Sequence, residues 1–258
     1  MNDPRRTWLW ILPAALIVLL AACTTLKETG ESTVILVNPQ QETQLGVSAF
    51  DQYKKEKKVS PDPQHQEMVN RVGRKLAAVS GLSDVQWEFV VFEDPSPNAF
   101  ALPGGKVGFN TGILDICQDE EGIAVVMSHE IAHVSLRHGA QRMSRGMMLE
   151  MGRNLLGLAM QDSEYKTQQL FAMSYGLGSQ IFVELPYGRD EELEADRIGL
   201  RYLSRAGYRP QASVEFWQRF AAAKQKSGAA GGSDFLSTHP SDQKRIEQLQ
   251  KAVSSGQY

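Results

Sequence analysis

The sequence predicts an α+β domain, rich in helix and carrying a small antiparallel sheet, and two observations lead there. Extended apolar runs at residues 86–92 and 98–110 come early. From Asp119 onward, long stretches repeat apolar residues at helical spacing and stop at glycines. Strands gathered ahead of helices mark the α+β class, and no helical-hairpin repeat is present. A hydrophobic content of 42% excludes a disordered chain. Net charge is −3 and the basic residues make no block beyond Lys54 to Lys58, which argues against nucleic acid as a partner. Two cysteines, Cys23 and Cys117, cannot build a disulfide scaffold.

Residues 1–22 read as a secretory signal rather than as part of the fold. Arg5 and Arg6 precede an apolar run from Trp8 to Ala22, broken by Pro13. That run is shorter than the ~20 residues of a spanning helix. It ends in Leu20-Ala21-Ala22-Cys23, which resembles the bacterial lipobox. The resemblance implies a diacylated Cys23 as first mature residue, and Thr24 in place of Asp implies passage to the outer membrane. An uncleaved anchor helix is the alternative. Residues 24–32 are polar and read as a tether. The expected division is therefore a signal at 1–22, an acylated Cys and tether at 23–43, and one domain at 44–258.

Within that domain, residues 44–58 suit a helix, and Pro61 and Pro63 mark a turn. Residues 64–80 repeat apolar side chains at Met68, Val69, Val72, Leu76 and Val79 before Gly81. Residues 86–92 read as a strand, and Gly104-Gly105 between two short extended runs suggests a strand reversal. Asp119-Glu120-Glu121 opens a long helix that Gly139 is expected to close, with Arg137 and His138 in its last turn. Residues 143–173 are rich in Met and Gly, a lid or partner surface if not ordinary core helix. Helices follow at 189–206, stopped by Gly207, at 212–226, and at 242–253 after a Gly/Ala/Ser linker at 227–233.

The helix opened by Asp119 contains His129-Glu130-Ile131-Ala132-His133. Residues four apart lie about 40° round a helix, so both imidazoles can converge on one metal ion. Glu130 lies about 100° away, beside the ion rather than on it, where it can take a proton from water. Zinc held by neutral imidazoles acidifies a bound water towards pKa ~7. With five His in 258 residues, this pattern arises by chance roughly once in 200 such chains, so it is a strong signal.

Zinc needs a third protein ligand. Leu136 and Gly139 stand where metzincin spacing asks for Gly and His, which excludes that class. His138 lies well off the metal face by helical projection and reads as a helix-end cap. Glu192 and Asp196 are four apart and share a face. Glu192 can then ligate while Asp196 holds the far nitrogen of a ligand His. Glu191 and Glu194 fit a solvated face.

These motifs, with Asn98-Ala99-Phe100-Ala101-Leu102-Pro103-Gly104-Gly105, Thr111-Gly112, and Thr238-His239-Pro240-Ser241 with Arg245-Ile246, resemble the zinc metallopeptidase family of HtpX and the CAAX prenyl endopeptidase. The likeness is greatest to small periplasmic lipoprotein members, BepA-like but without the repeat domain. It implies a gluzincin-type domain binding one Zn2+ and hydrolysing peptide bonds of misfolded or misassembled envelope proteins. The assembly machinery of the outer membrane becomes a possible partner. His129, His133 and Glu192 are the implied ligands, and Glu130 the base. Asp196 becomes a positioning or proton-donating acid. His239 is implied to approach the metal, as a gate or an oxyanion donor; a helix-start His is its structural alternative.

Gly105, Lys106, Val107 and Gly108 carry little bulk on alternate positions and suggest an exposed edge strand that pairs with an extended substrate. A plain core strand is the alternative. Two rival readings complete the set: a hydrolase using Cys117 as third ligand, and a non-catalytic or dual-role chaperone or assembly scaffold on the same fold.

Overall fold

The computed structural model describes residues 23–159, 187–227, 235, 239 and 243–258. The signal at 1–22, the later part of the Met-rich stretch and most of the 227–233 linker lie outside the described residues. No helix among the described residues is long and apolar enough to cross a membrane.

The chain opens with a hairpin, β1 (Cys23–Thr25) and β2 (Ser32–Val34), paired antiparallel with Cys23 opposite Val34. Helix α1 (Pro39–Glu56) begins earlier than its hydrophobic pattern suggests, because Asn38 and Gln41 form a capping box and Pro39 sits at its first position. Helix α2 (Pro63–Ala77) starts on Asp62, whose carboxylate accepts the N–H groups of Gln64 and His65. Strands β3 (Glu88–Phe92), β4 (Ala99–Leu102) and β5 (Lys106–Asn110) follow. Then come helices α3 (Thr111–Cys117), α4 (Glu120–Ser135), α5 (His138–Ala159), α6 (Arg189–Arg205), α7 (Gln211–Ser227) and α8 (Gln243–Ser255).

The α+β class holds, but the main sheet is mixed rather than antiparallel. Its order is β3-β5-β4, with β3 parallel and β4 antiparallel to β5. The reason lies in residues 94–98, which carry the chain over the end of β5 to the far edge. That crossing is held by Gly112 N–H to the Asp94 carbonyl at 3.0 Å, Asn110 Nδ2 to Ser96 Oγ at 2.9 Å, and Asn110 N–H to the Asn98 carbonyl at 2.9 Å. Gly104 and Gly105, at φ +80° and +76°, then reverse the chain into β5.

The two edges of this sheet differ. Along β3, the Gln66 side chain lies like a short strand, its Nε2 donating to the Phe89 carbonyl at 2.8 Å and its Oε1 accepting the Val91 N–H at 3.0 Å. Residues 58–60 continue that cover through Ser60 N–H to the Val91 carbonyl and Glu93 N–H to the Lys58 carbonyl, both 2.8 Å. The other edge is β4, which packs against α4.

Two apolar clusters sandwich the sheet. Phe50, Phe92, Phe100, Leu102 and Met143 fill the side under α1, which gives Met143 a core role. Val72, Val107, Phe109, Met127, Ile131, Ile198 and Trp217 fill the other, around α4. Helix α4 is surrounded by α2, β4, α6 and α7, and is buried from Gly122 to His133. Its approach to α6 is close at Gly199, where a Cβ would lie 3.1 Å from His129 Cα and N. Gly199→Val therefore forces the helices apart and is expected to cost about 1–3 kcal/mol in urea denaturation. Zinc affinity should fall with it, because the displaced helix carries Glu192. A Gly199→Val protein with unchanged stability and zinc content would show the close approach to be incidental.

Candidate metal centre

Asp119 caps α4 by accepting the Gly122 N–H at 2.8 Å, with Glu120 and Glu121 in the positively polarised first turn. One turn from the other end, His129 and His133 bring their Nε2 atoms within 3.1 Å of each other. Glu192, on α6, places Oε2 at 3.4 Å from His129 Nε2 and Oε1 at 3.5 Å from His133 Nε2. His239 Nδ1 completes the group, 3.2 Å from His129 Nε2 and 3.0 Å from Glu192 Oε1. All four side chains are buried, and their ligand atoms lie within 4.8 Å of one another.

Electron-rich atoms converging so closely need a proton or a cation between them. Zn–N bonds of about 2.0–2.1 Å at tetrahedral angles put ligand atoms about 3.3 Å apart. Five contacts within the group, from 3.0 to 3.5 Å, lie either side of that value, and no two of the four ligand atoms are more than 4.8 Å apart. Three imidazoles and a carboxylate also match the ligand chemistry of zinc. The set fits one zinc ion.

Behind the ligands, His129 Nδ1 lies 3.0 Å from Asp196 Oδ1, a distance at which a carboxylate can orient a metal-binding imidazole. Asp196 in turn accepts two hydrogen bonds from Arg245, both 2.7 Å. Arg245 Nη1 lies 2.6 Å from Glu192 Oε2, and the guanidinium stacks over Trp217 at 4.1 Å. Burial alone would raise both carboxyls. His239 and Arg245 instead hold Glu192 well below the usual carboxylate range, and Arg245 holds Asp196 below it. Glu130 differs: burial dominates and raises its carboxyl. The nearby Ala101 backbone on β4 offsets a little of that rise, and Glu130 Oε1 lies 3.2 Å from His239 Nε2.

Several expectations need correcting. Gly105, Lys106, Val107 and Gly108 are not an exposed edge, because β5 is the central strand and is paired on both sides. The edge near the metal centre is β4. Helix α4 does not run to Gly139; it ends at Ser135, and Arg137 takes a left-handed φ of +54°. The helical projection that excluded His138 therefore does not apply. His138 opens α5 and sets its Nδ1 2.9 Å from His133 Nδ1. Glu194 is half-buried rather than on a fully solvated face and meets His138 Nε2 at 3.2 Å, while Glu191 accepts the Gly188 N–H and pairs with Arg145. Residues 24–32 form a docked hairpin with Leu26 buried, not a tether. Cys117 is buried in the apolar core with its thiol pushed up by burial, and it is absent from the ligand group.

Residues unforeseen as parts of the site include Arg245, noted only within a C-terminal motif, and two aromatic rings. Tyr187 stacks on His133 with ring centroids 3.8 Å apart, and Phe235 on His239 at 4.3 Å. The Phe235 N–H also donates to the Pro97 carbonyl at 2.7 Å, which ties the His239 segment to the loop before β4. Elemental analysis should find one zinc per chain, and Glu192→Ala should lose it. Stoichiometric zinc in Glu192→Ala would show the ligand assignment wrong.

Residues 63–253 match Peptidase family M48. The mitochondrial metalloendopeptidase OMA1 of Schizosaccharomyces pombe is 40% identical over 190 residues, covering 73% of this chain and 53% of that protein. The human OMA1 metalloendopeptidase is 31% identical over 178 residues, 68% of this chain and 34% of its own length. The beta-barrel assembly-enhancing protease of Yersinia pestis is 28% identical over 235 residues, 88% of this chain and 47% of its own. The chain spans about half the length of the first of these relatives. With about three quarters of the chain inside the family's bounds and its metal ligands converging, this protein belongs to peptidase family M48.

Proposed function

We propose that the protein is a zinc-dependent endopeptidase that hydrolyses peptide bonds of misfolded or misassembled envelope proteins, held at the outer membrane by lipid on Cys23. The observation that carries the enzymatic reading is Glu130. It is buried, it stands beside the ligand set without belonging to it, and its Oε1 lies 3.2 Å from His239 Nε2. Zinc, when bound, acts as a Lewis acid that acidifies water and polarises the scissile carbonyl. Glu130 takes the proton from the attacking water and passes it to the departing amine. Asp196 and Arg245 keep the His129 ring in place while charge builds up.

Among the described residues of the main sheet, β4 is the edge that no other backbone segment pairs. β4 lies against α4 on the free side of the sheet, and main-chain pairing there would run a peptide past Glu130. Glu130→Gln should retain one zinc and lose about 10²–10⁴-fold in cleavage of an unfolded protein. Undiminished cleavage by that variant would remove the enzymatic reading and favour the scaffold reading.

His239 is proposed to keep the site latent. Its two ring nitrogens reach Glu192 and Glu130 at 3.0 and 3.2 Å, so it occupies the space that an attacking water needs. Under this reading His239→Ala raises turnover by the inverse of the fraction of chains already open. A slower, zinc-loaded variant would assign the oxyanion role instead.

The lipobox-like Leu20-Ala21-Ala22-Cys23, the exposure of Cys23 and the relation to a beta-barrel assembly-enhancing protease support an outer-membrane location on the periplasmic side, with the assembly machinery of that membrane as partner. The kinship with HtpX and the CAAX prenyl endopeptidase is proposed on the motifs alone. Cys23→Ser should leave the membrane fraction, and sedimentation with outer membranes after a salt wash would point to another anchor.

A further inference from the structure

We propose that His138 and Glu194 form a hydrogen-bonded relay behind His133, which fixes the ring nitrogen that His133 presents to the metal and makes His138 a positioning residue. The inference rests on the zinc reading above.

The two ligand imidazoles of α4 are supported differently. His129 is backed directly by a carboxylate, Asp196, at 3.0 Å. His133 is backed by another imidazole, with the two Nδ1 atoms 2.9 Å apart. Two such nitrogens at hydrogen-bond distance must share one proton. When Nε2 of His133 gives its lone pair to the metal, its Nδ1 carries hydrogen and donates. His138 Nδ1 is then the acceptor, so His138 carries its hydrogen on Nε2, which lies 3.2 Å from Glu194 Oε2. Each hydrogen fixes the next, and the acceptor-only carboxylate of Glu194 sets the direction of the chain.

Burial makes the relay hard to replace with water. His133 is 2% exposed and His138 1%, and only Glu194 at the far end reaches solvent, its side chain 21% exposed. The backbone is bent to allow this contact. Arg137 adopts φ +54° between α4 and α5, and its guanidinium is held by the buried Glu42, with Nε donating to Oε2 at 2.8 Å. A left-handed conformation at a residue other than glycine persists only where its surroundings over-determine it. Here its result is to turn His138 back onto His133. Tyr187 stacks on the face of His133 at 3.8 Å, which leaves rotation within the ring plane to be fixed by the hydrogen bond.

The test is zinc affinity of the full chain by competition with a chromophoric chelator, beside nitrogen-15 histidine spectra of the zinc-loaded wild type. The spectra should show hydrogen on Nδ1 of His133 and on Nε2 of His138. His138→Leu should bind zinc about 10–100-fold more weakly while its metal-free thermal midpoint does not fall. His138→Asn, whose Oδ1 stands near the position of Nδ1, should recover most of the affinity. Equal affinity in wild type and His138→Leu, or His138→Asn as weak as His138→Leu, or the reversed tautomers would overturn the relay. If His138→Leu does not fold, the wild-type spectra decide alone. A wild-type chain that binds no zinc removes the metal reading itself, whereas zinc binding that ignores residue 138 removes only the relay.

Discussion

Two acids on one helix turn, Glu192 and Asp196, lie buried side by side, and charge in such a place must be answered locally. An isolated buried carboxylate would be neutralised by taking up a proton, which would end its use as a ligand or as a partner to imidazole. Arg245 answers both acids from α8 with one planar guanidinium, itself 1% exposed and laid on Trp217. The C-terminal helix is thus part of the metal centre although it contributes no ligand. The electrostatics explain why a site built on α4 and α6 needs a third helix before it is complete.

Geometry supplies the rest. Gly199 lets α6 lie close enough to α4 for a short carboxylate side chain to reach both imidazoles. The sheet then sets β4 beside Glu130, and His239, with Phe235 anchored to the loop before β4, brings a third imidazole to the group. Ligands come from three separated stretches of chain, so the site reports on correct packing of the whole domain.

Much of this was legible in the sequence where one helix carries the information. His129, Glu130 and His133 follow from helical spacing, and Glu192 with Asp196 from the same rule on a second helix. The helix start at Asp119 and the stop at Gly207 were readable because their chemistry is local. What failed was information held between segments. Gly108 is small because the Phe100 ring lies against it, where a Cβ would sit 2.4 Å from Phe100 Cζ, and not because β5 faces solvent. Residues 24–32 look like a tether by polarity, yet Thr33 and Leu36 just beyond them bond to Gln141 and Ser144 on α5, and the hairpin docks there. His138 was misplaced because the projection assumed an unbroken helix across Arg137. Arg245 gave no signal of its own, since a guanidinium destined for burial reads like any other charge on an amphipathic helix.

The side chain of Gln66 has a consequence for how the protein survives its surroundings. Any sheet with an open edge is a template, and unfolded polypeptides extend such templates without regard to catalysis. By laying an amide along β3, and residues 58–60 beyond it, the fold covers that edge of its main sheet. A chain that would nucleate stacking on β3 finds that strand's hydrogen bonds already taken. A single glutamine thereby shields a stretch of edge that no backbone segment covers.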